Sequence, residues 1–491
     1  MRINYQTNVT PRLRVLSDDQ IEQIVFAAMD VLLRTGTRVH EKNALGLLCD
    51  AGCATSDNNL VHIPSWLIET SIQSAPSRIV LAGRDREKRL ELEKDQVYFG
   101  TGSDCPFILD PYSGERRRCT YEDVYRAAKI ADALPHIDFH MSLGLTSDVP
   151  IGTYDRHQLL AMLRGTTKPL VVTAVDKEGL ADQLEMAYAT IGGIGEWRKV
   201  PLFAVYIEPS SPLENSTVAL EKLLYAAEND IPAIYTPCPI SGATAPATMA
   251  GILVQTLAEC LTGVVVSQLK RKGAAVVIGG VMSVMDMSTM VYSYGAPELS
   301  LLSAAMTDVA QYLHLPMFST AGCSDSKIID QQAAIEGALS IAFAALSGAN
   351  LVHDVGYLES GLSASCDMLV MSNEVIGLVK RILRGVAVDT EHLALEAIER
   401  VGPGGHFLMD DHTMKFFRSE FWIPELLDRS NWMEWQANGA KALRVRVHQK
   451  VLDLIEHYEP TAIAGEIDQE LERIVACADE AHRSEEKVKL V

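Results

Sequence analysis

A chain of 491 residues, 48% of them apolar and 22% charged, carries enough hydrophobic material for a large core and is not an intrinsically disordered protein. With 43 Lys and Arg against 64 Asp and Glu the formal net charge is −21, which argues against nucleic acid or anionic lipid as partners and favours a cationic ligand, although acidity alone also keeps a large protein soluble. The nine cysteines are scattered without a CxxC pair or a His at zinc-ligand spacing, so a reducing cytoplasm is the expected setting and no metal is expected.

The opening MRINYQTNVTPRLRV lacks the apolar run of a signal peptide. LSDDQIEQIVFAAMDVLLRTG comes next with helical periodicity, and Ser17 and Gln20 stand at capping-box spacing. KNALGLLCDAG and PSWLIETSIQSA read as two further helices, so residues 1–95 are expected to form a helical N-terminal extension packed on the main body of the chain. VYFGTG, residues 97–102, suggests a strand turning into a loop.

Short apolar or β-branched runs then recur at 137–144, 169–174, 201–206, 232–237, 274–280, 316–320 and 349–354, with helical patterns between them. Their spacing of roughly 30 to 45 residues is that of a βαβ unit, and their near-continuous apolar character fits a parallel sheet buried on both faces. No run is followed by GxGxxG, so a TIM-type (β/α)8 barrel over residues 96–400 is favoured over a doubly wound sheet, with 401–491 as a helical C-terminal tail. The eighth strand lies either at VYFGTG or after Gly385. The uncharged stretch from Ile231 to Ala258 contains four prolines and reads as strand, loop and buried helix, not as a membrane span.

In a parallel barrel, chemistry gathers at the C-terminal strand ends. There the sequence places Thr146, Ser147 and Asp148; Tyr206 and Glu208; Tyr235, Thr236 and Ser241; Gly279 and Gly280; Ser319 to Lys327; and LVHDVGYLESG, residues 351–361. Carboxylates, tyrosines and one histidine at a common mouth suit a small organic cation. Asp148 and Glu208 read equally well as helix caps, Lys327 as a surface residue, and the Gly pair as close backbone packing. Neither GxSxG nor HExxH occurs, which leaves a pocket without an obvious nucleophile.

Residues 321–361 (AGCSDSKIIDQQAAIEGALSIAFAALSGANLVHDVGYLESG), SNEVIG, VGPGGHFLMDDHT at 401–413 and FWIPELLDRSNWMEWQANGAKAL carry a resemblance that extends from about residue 15 to 460. The chain resembles the trimethylamine methyltransferase family of corrinoid-dependent enzymes. The resemblance implies a TIM barrel that passes a methyl group from an amine to Co(I) of a separate corrinoid protein and holds no tightly bound cofactor of its own. Trimethylamine enzymes of the family carry pyrrolysine; every residue here is a standard one, which points to the branch acting on betaines, glycine betaine giving dimethylglycine first among them.

A quaternary ammonium already carries the charge that makes an amine a leaving group, so positioning is the main task left to the protein. Carnitine, proline betaine and γ-butyrobetaine fit the same chemistry. A non-catalytic quaternary-amine-binding barrel, or a lyase forming a Schiff base on Lys327, are the readings from other classes. Strand-end position and ligand chemistry then assign His353 as donor to the substrate carboxylate and Asp354 as its orienter. Tyr98, Tyr206 and Tyr357 are the expected ring walls, with Glu208 and Glu359 as counter-charges. The expected partners are the quaternary amine and the corrinoid protein, in a homo-oligomer free in the cytoplasm.

Overall fold

The computed structural model describes residues 8–489. The recurring apolar runs form parallel strands β1 (Tyr98–Thr101), β3 (Leu170–Val172), β4 (Phe203–Ile207), β5 (Ala233–Tyr235), β6 (Val276–Gly279), β7 (Met317–Thr320) and β8 (Leu351–Val355), hydrogen-bonded in the order β1-β8-β7-β6-β5-β4-β3. Two bridging pairs, Gly100 with Phe139 and His140 with Leu170, insert residues 139–140 as β2 between β1 and β3 and close the barrel. VYFGTG is therefore the strand whose place the sequence left open.

Each strand is followed by a helix: α1 (Tyr121–Ala133), α2 (Tyr154–Gly165), α3 (Lys177–Ile191), α4 (Thr217–Glu228), α5 (Met249–Lys270), α6 (Pro297–Tyr312), α7 (Gln331–Ser347) and α8 (Cys366–Leu383). The run at 137–144 is a far shorter strand than its composition suggests. Side chains supplement its backbone ladder, for Phe99 N donates to Asp138 Oδ2 and Met141 N donates to Thr101 Oγ1.

Inside the barrel Phe139, Met141, Val171, Ala204, Ile234, Val277, Phe318 and Leu351 form one apolar cluster. Ile79, Leu81, Leu90 and Leu92 join the same cluster from a hairpin, Ile79–Ala82 paired with Arg89–Leu92, which packs against the barrel interior. Residues 1–95 are thus not purely helical. Helices Asp18–Arg34, Lys42–Asp50 and Ser65–Ser74 occur where periodicity put them, and the Ser17 and Gln20 capping box is formed, but five short strands lie among them. These strands are three or four residues long, too short to show a period of two.

The apolar helix α5 is long enough to cross a membrane, yet it is largely buried between Asp18–Arg34, Ser65–Ser74, α4 and α6. At the other end of the chain, Leu443–His457 lies on α8 and α1, and Gly465–Lys489 lies on α3 and α2.

Candidate functional site

Strand β8 carries the centre of the site because it is irregular. Its register against β1 shifts between Val352 and Val355, and Asp354 takes a positive φ of 74°. In a regular strand successive side chains point to opposite faces. The bulge instead lets His353 and Asp354 meet, with His353 Nε2 3.2 Å from Asp354 Oδ1. His353 Nδ1 lies 2.8 Å from Ser319 O, and its ring stacks on Phe318 with centroids 4.1 Å apart.

Asp354 is fully enclosed, and its Oδ2 has no hydrogen-bond partner among the described residues. Burial raises its carboxyl above the ordinary value, although His353 and the Tyr294 hydroxyl both favour the charged form. An ionisable oxygen enclosed without a partner is costly unless a ligand completes it.

Tyrosines surround this carboxyl from several elements. Tyr206 at the end of β4 stands 6.3 Å from the His353 ring and 5.6 Å from Phe318. Tyr292 and Tyr294, in the excursion between β6 and α6, stack edge-on at 5.3 Å, and Tyr294 meets Tyr357 edge-on at 6.3 Å. Burial first, with Asp354 among the neighbouring charges, pushes all four hydroxyls well above their ordinary value and keeps them neutral.

The crowding is tight enough to require glycine. A Cβ on Gly102, just past β1, would lie 2.2 Å from Tyr357 Cζ and 2.5 Å from Asp354 Oδ1. The Gly279 position is equally constrained, 2.0 Å from Phe318 O, so the Gly pair after β6 serves close packing. At the entrance the Tyr206 hydroxyl donates to Glu208 Oε2 at 3.2 Å; solvent reaches Glu208, while burial by the surrounding wall raises its carboxyl.

The structure therefore brings together His353, Asp354, Tyr206, Tyr357 and Glu208, and separates Tyr98 and Glu359 from them. Tyr98 begins β1 at the opposite end of the barrel, packs on the cluster shared with the hairpin, and accepts a hydrogen bond from Glu91 N. Glu359 is held on the rim by Arg116 and Ser363, which keep its carboxyl below the ordinary range against the effect of burial.

His353 Nδ1 is occupied by Ser319 O and Nε2 lies 3.2 Å from Asp354 Oδ1, while Asp354 Oδ2 is the oxygen without a hydrogen-bond partner among the described residues. Asp148 accepts from Tyr121 N at the start of α1, and the exposed Lys327 donates to Asp325 O. Sequence reasoning passed over Tyr292, Tyr294 and Gly102. The signal was present in YSYG, two aromatics two residues apart in the segment between the fifth run and the helix that follows it.

The family model described as trimethylamine methyltransferase (MTTB) matches residues 1–481. The chain belongs to the trimethylamine methyltransferase family. It is 34% identical over 460 residues to trimethylamine methyltransferase MttB of Desulfitobacterium hafniense (strain DSM 10664 / DCB-2), covering 94% of this chain and 92% of that protein. To MttB of Methanosarcina barkeri it is 33% identical over 481 residues, 96% of each chain. To a glycine betaine methyltransferase of Desulfitobacterium hafniense (strain Y51) it is 30% identical over 470 residues, covering 95% and 97%.

Among solved structures, the monomethylamine methyltransferase MtmB of Methanosarcina barkeri superposes with a TM-score of 0.53 at 13% identity, covering 90% of this chain and 89% of that one, so the barrel fold is shared. For this member of the trimethylamine methyltransferase family, the aromatic cage at the barrel mouth is the candidate active site. Among its described residues no group of three or more His, Cys, Asp or Glu is arranged to hold a metal ion.

Proposed function

We propose that this chain moves a methyl group from a quaternary amine, glycine betaine first, to Co(I) of a corrinoid carried by a separate protein, leaving dimethylglycine. The single observation that carries the reading is the enclosed Asp354 carboxyl with one unpartnered oxygen inside a ring of Tyr206, Tyr292, Tyr294 and Tyr357. Aromatic faces attract a desolvated trimethylammonium by about 0.5 to 2 kcal/mol each, and a carboxylate adds a full counter-charge.

The corrinoid supplies the nucleophile when its protein docks at the barrel mouth. This chain's residues bind and aim. Asp354 and the tyrosines fix the ammonium, His353 lies against Asp354, and the rings exclude water from the methyl groups, while Glu208 beside Tyr206 is exposed to solvent. For the betaine carboxylate the fitting donor is the Thr320 hydroxyl, which is buried with no hydrogen-bond partner among the described residues and sits in register with His353. Thr236, also unpartnered and alternating inward after Ile234, is the second.

The test mixes dialysed protein with Co(I) cobalamin and glycine betaine. Methylcobalamin and dimethylglycine are expected in equal amounts, and no product with any betaine overturns the proposal. Trimethylamine, named in several of the relatives, serves as the competing substrate in the same assay.

A further inference from the structure

Three consecutive arginines, Arg116–Arg118, stand out in a chain of net charge −21, and strand geometry divides them. They pair with Phe107–Leu109 in a hairpin, where successive side chains point to opposite faces. Arg117 turns inward, and Asp110 and Asp123 both take its guanidinium. Arg116 and Arg118 turn outward over the same Phe107 ring, 3.5 and 5.0 Å from its centroid. Glu359 pairs with Arg116, while no ion pair among the described residues engages Arg118. Two guanidinium groups on one ring with one carboxylate between them are a counter-charge short.

This hairpin belongs to the barrel mouth. It follows β1, and Ser363–Ala364, which follows β8, pairs with Phe107–Ile108 on one side and with Tyr357–Leu358 on the other. One backbone ladder therefore runs from the cage residue Tyr357 to the arginines. The loop after β7, the next strand in the barrel, brings Lys327, which is exposed and joins Arg116 in favouring the charged form of Glu359. Beside these loops lies a groove of about 420 Å³, lined by Leu109, Pro111, Ile328 and Ile329 and, from the helix Leu443–His457, by Arg444 and Val445. Ile328, Val445 and Arg444 are exposed, and Arg444 engages no carboxylate among the described residues. Most acidic groups of the rim are committed, Asp110 to Arg117, Glu359 to Arg116, Asp325 to Tyr294 N and Ser360, and Asp367 to His448. Glu115 at the hairpin turn faces solvent.

We propose that the loops after β1, β7 and β8, with the groove beside them, are the docking surface for the corrinoid-carrying protein, and that this partner meets it with carboxylates around an apolar anchor. An acidic face is repelled by most of a chain of charge −21 and drawn to the stretch of rim where Arg118, Lys327 and Arg444 outnumber the solvent-facing Glu115. Attraction and repulsion together thus turn the partner towards the cage. The apolar groove takes the anchor, and the cations form the polar edge around it. A second copy of this chain fits less well, because a twofold contact through the same surface sets these cations against themselves. The inference rests on the proposed function in taking a corrinoid protein as the methyl acceptor.

Surface plasmon resonance between the full chain and holo corrinoid protein from the cells that make it, over a range of salt concentrations, reads the docking apart from the chemistry. Arg118→Glu combined with Arg444→Glu is expected to weaken the complex about tenfold at low salt, mainly through slower association, and to flatten its salt dependence. Methyl transfer to free Co(I) cobalamin should stay at the wild-type rate in that variant. Lys94→Glu combined with Lys272→Glu makes the same change of net charge before β1 and before β6, at the opposite end of the barrel, and is expected to leave the complex unchanged. Ile328→Ser is expected to speed dissociation, and wild-type dissociation in it overturns the anchor. Wild-type affinity and salt dependence in the folded Arg118→Glu, Arg444→Glu variant overturn the surface, as does equal weakening by the Lys94 and Lys272 pair or a wild-type chain that binds no corrinoid protein. A changed oligomeric state of the arginine variant in sedimentation also overturns it and assigns the face to contact between copies. Failure to methylate free cobalamin from any betaine overturns the proposed function instead.

Discussion

Gly102 shows how narrowly the site is specified at a single residue. Its backbone does not need glycine for a positive φ; it needs the absence of a Cβ that would overlap Tyr357 and Asp354. Forcing those groups apart costs about 1 to 3 kcal/mol. Gly102→Ala is therefore expected to weaken tetramethylammonium binding about 5- to 150-fold by titration calorimetry while the far-ultraviolet circular dichroism is retained. Tyr294 tests the rings. Tyr294→Leu keeps bulk and loses the π face, so about 2- to 30-fold weaker binding is expected, with Tyr294→Phe losing less than Tyr294→Leu. Tyr98 belongs to the opposite end of the barrel, so Tyr98→Phe is expected to lower the denaturation midpoint by the equivalent of about 1 kcal/mol and to leave the KM for substrate unchanged.

Elements hold these residues in place, and helix α5 does so through a buried carboxyl. Glu259 accepts from Leu213 N at 2.8 Å and Ser211 Oγ at 2.7 Å in the loop that leaves β4 just past Glu208. Burial raises it from 4.5 to about 6. The folded state thus holds this proton more tightly than the unfolded chain, so the associated stability is full below pH 4.5 and is lost as pH rises through about 6. Glu259→Gln escapes that loss, and its midpoint in chemical denaturation relative to wild type is expected to rise between pH 5 and pH 7.5 by up to about 2 kcal/mol. A difference that stays constant across that range contradicts the linkage.

The same scale explains which features were readable from sequence. Strands β3 to β8 and their helices announce themselves because each is an apolar run bounded by breakers, and the residues at the strand ends follow from those runs. The hairpin that packs into the barrel interior was not readable, because RIVLA and RLEL become a plug only through contact with residues on strands far along the chain, from Phe139 to Leu351. His353 and Asp354 were legible as neighbours at a strand end but their contact with each other was not, since it depends on a bulge, and the partner of the His353 ring is Ser319 O, neither of which leaves a local signature. Tyr98 and Glu359 were misplaced for a related reason. Sequence position says which run a residue belongs to, whereas the end of the strand it occupies and the arginine that reaches it are settled by tertiary packing.

At the scale of the whole molecule, the barrel depends on the last helix of the chain. Gly465–Lys489 lies across α2 and α3, burying Leu471, Ile474 and Val475, while Asp468 and Glu472 take the Arg164 guanidinium and Asp479 takes Thr153 and His157. Helix α2 also carries Gln158, whose Nε2 donates to Asp104 Oδ1 at 2.8 Å beside the cage. The tail is thus tied to the mouth through a single helix. Leu471 is fully buried, so Leu471→Ala is expected to cost about 2 to 5 kcal/mol, a large part of the stability of an ordinary domain. Because α2 moves with the tail, calorimetry should show weakened tetramethylammonium binding in the same variant at temperatures where it remains folded. A variant that loses stability but binds with wild-type affinity would separate the two ends of α2 and leave the tail a purely structural clamp.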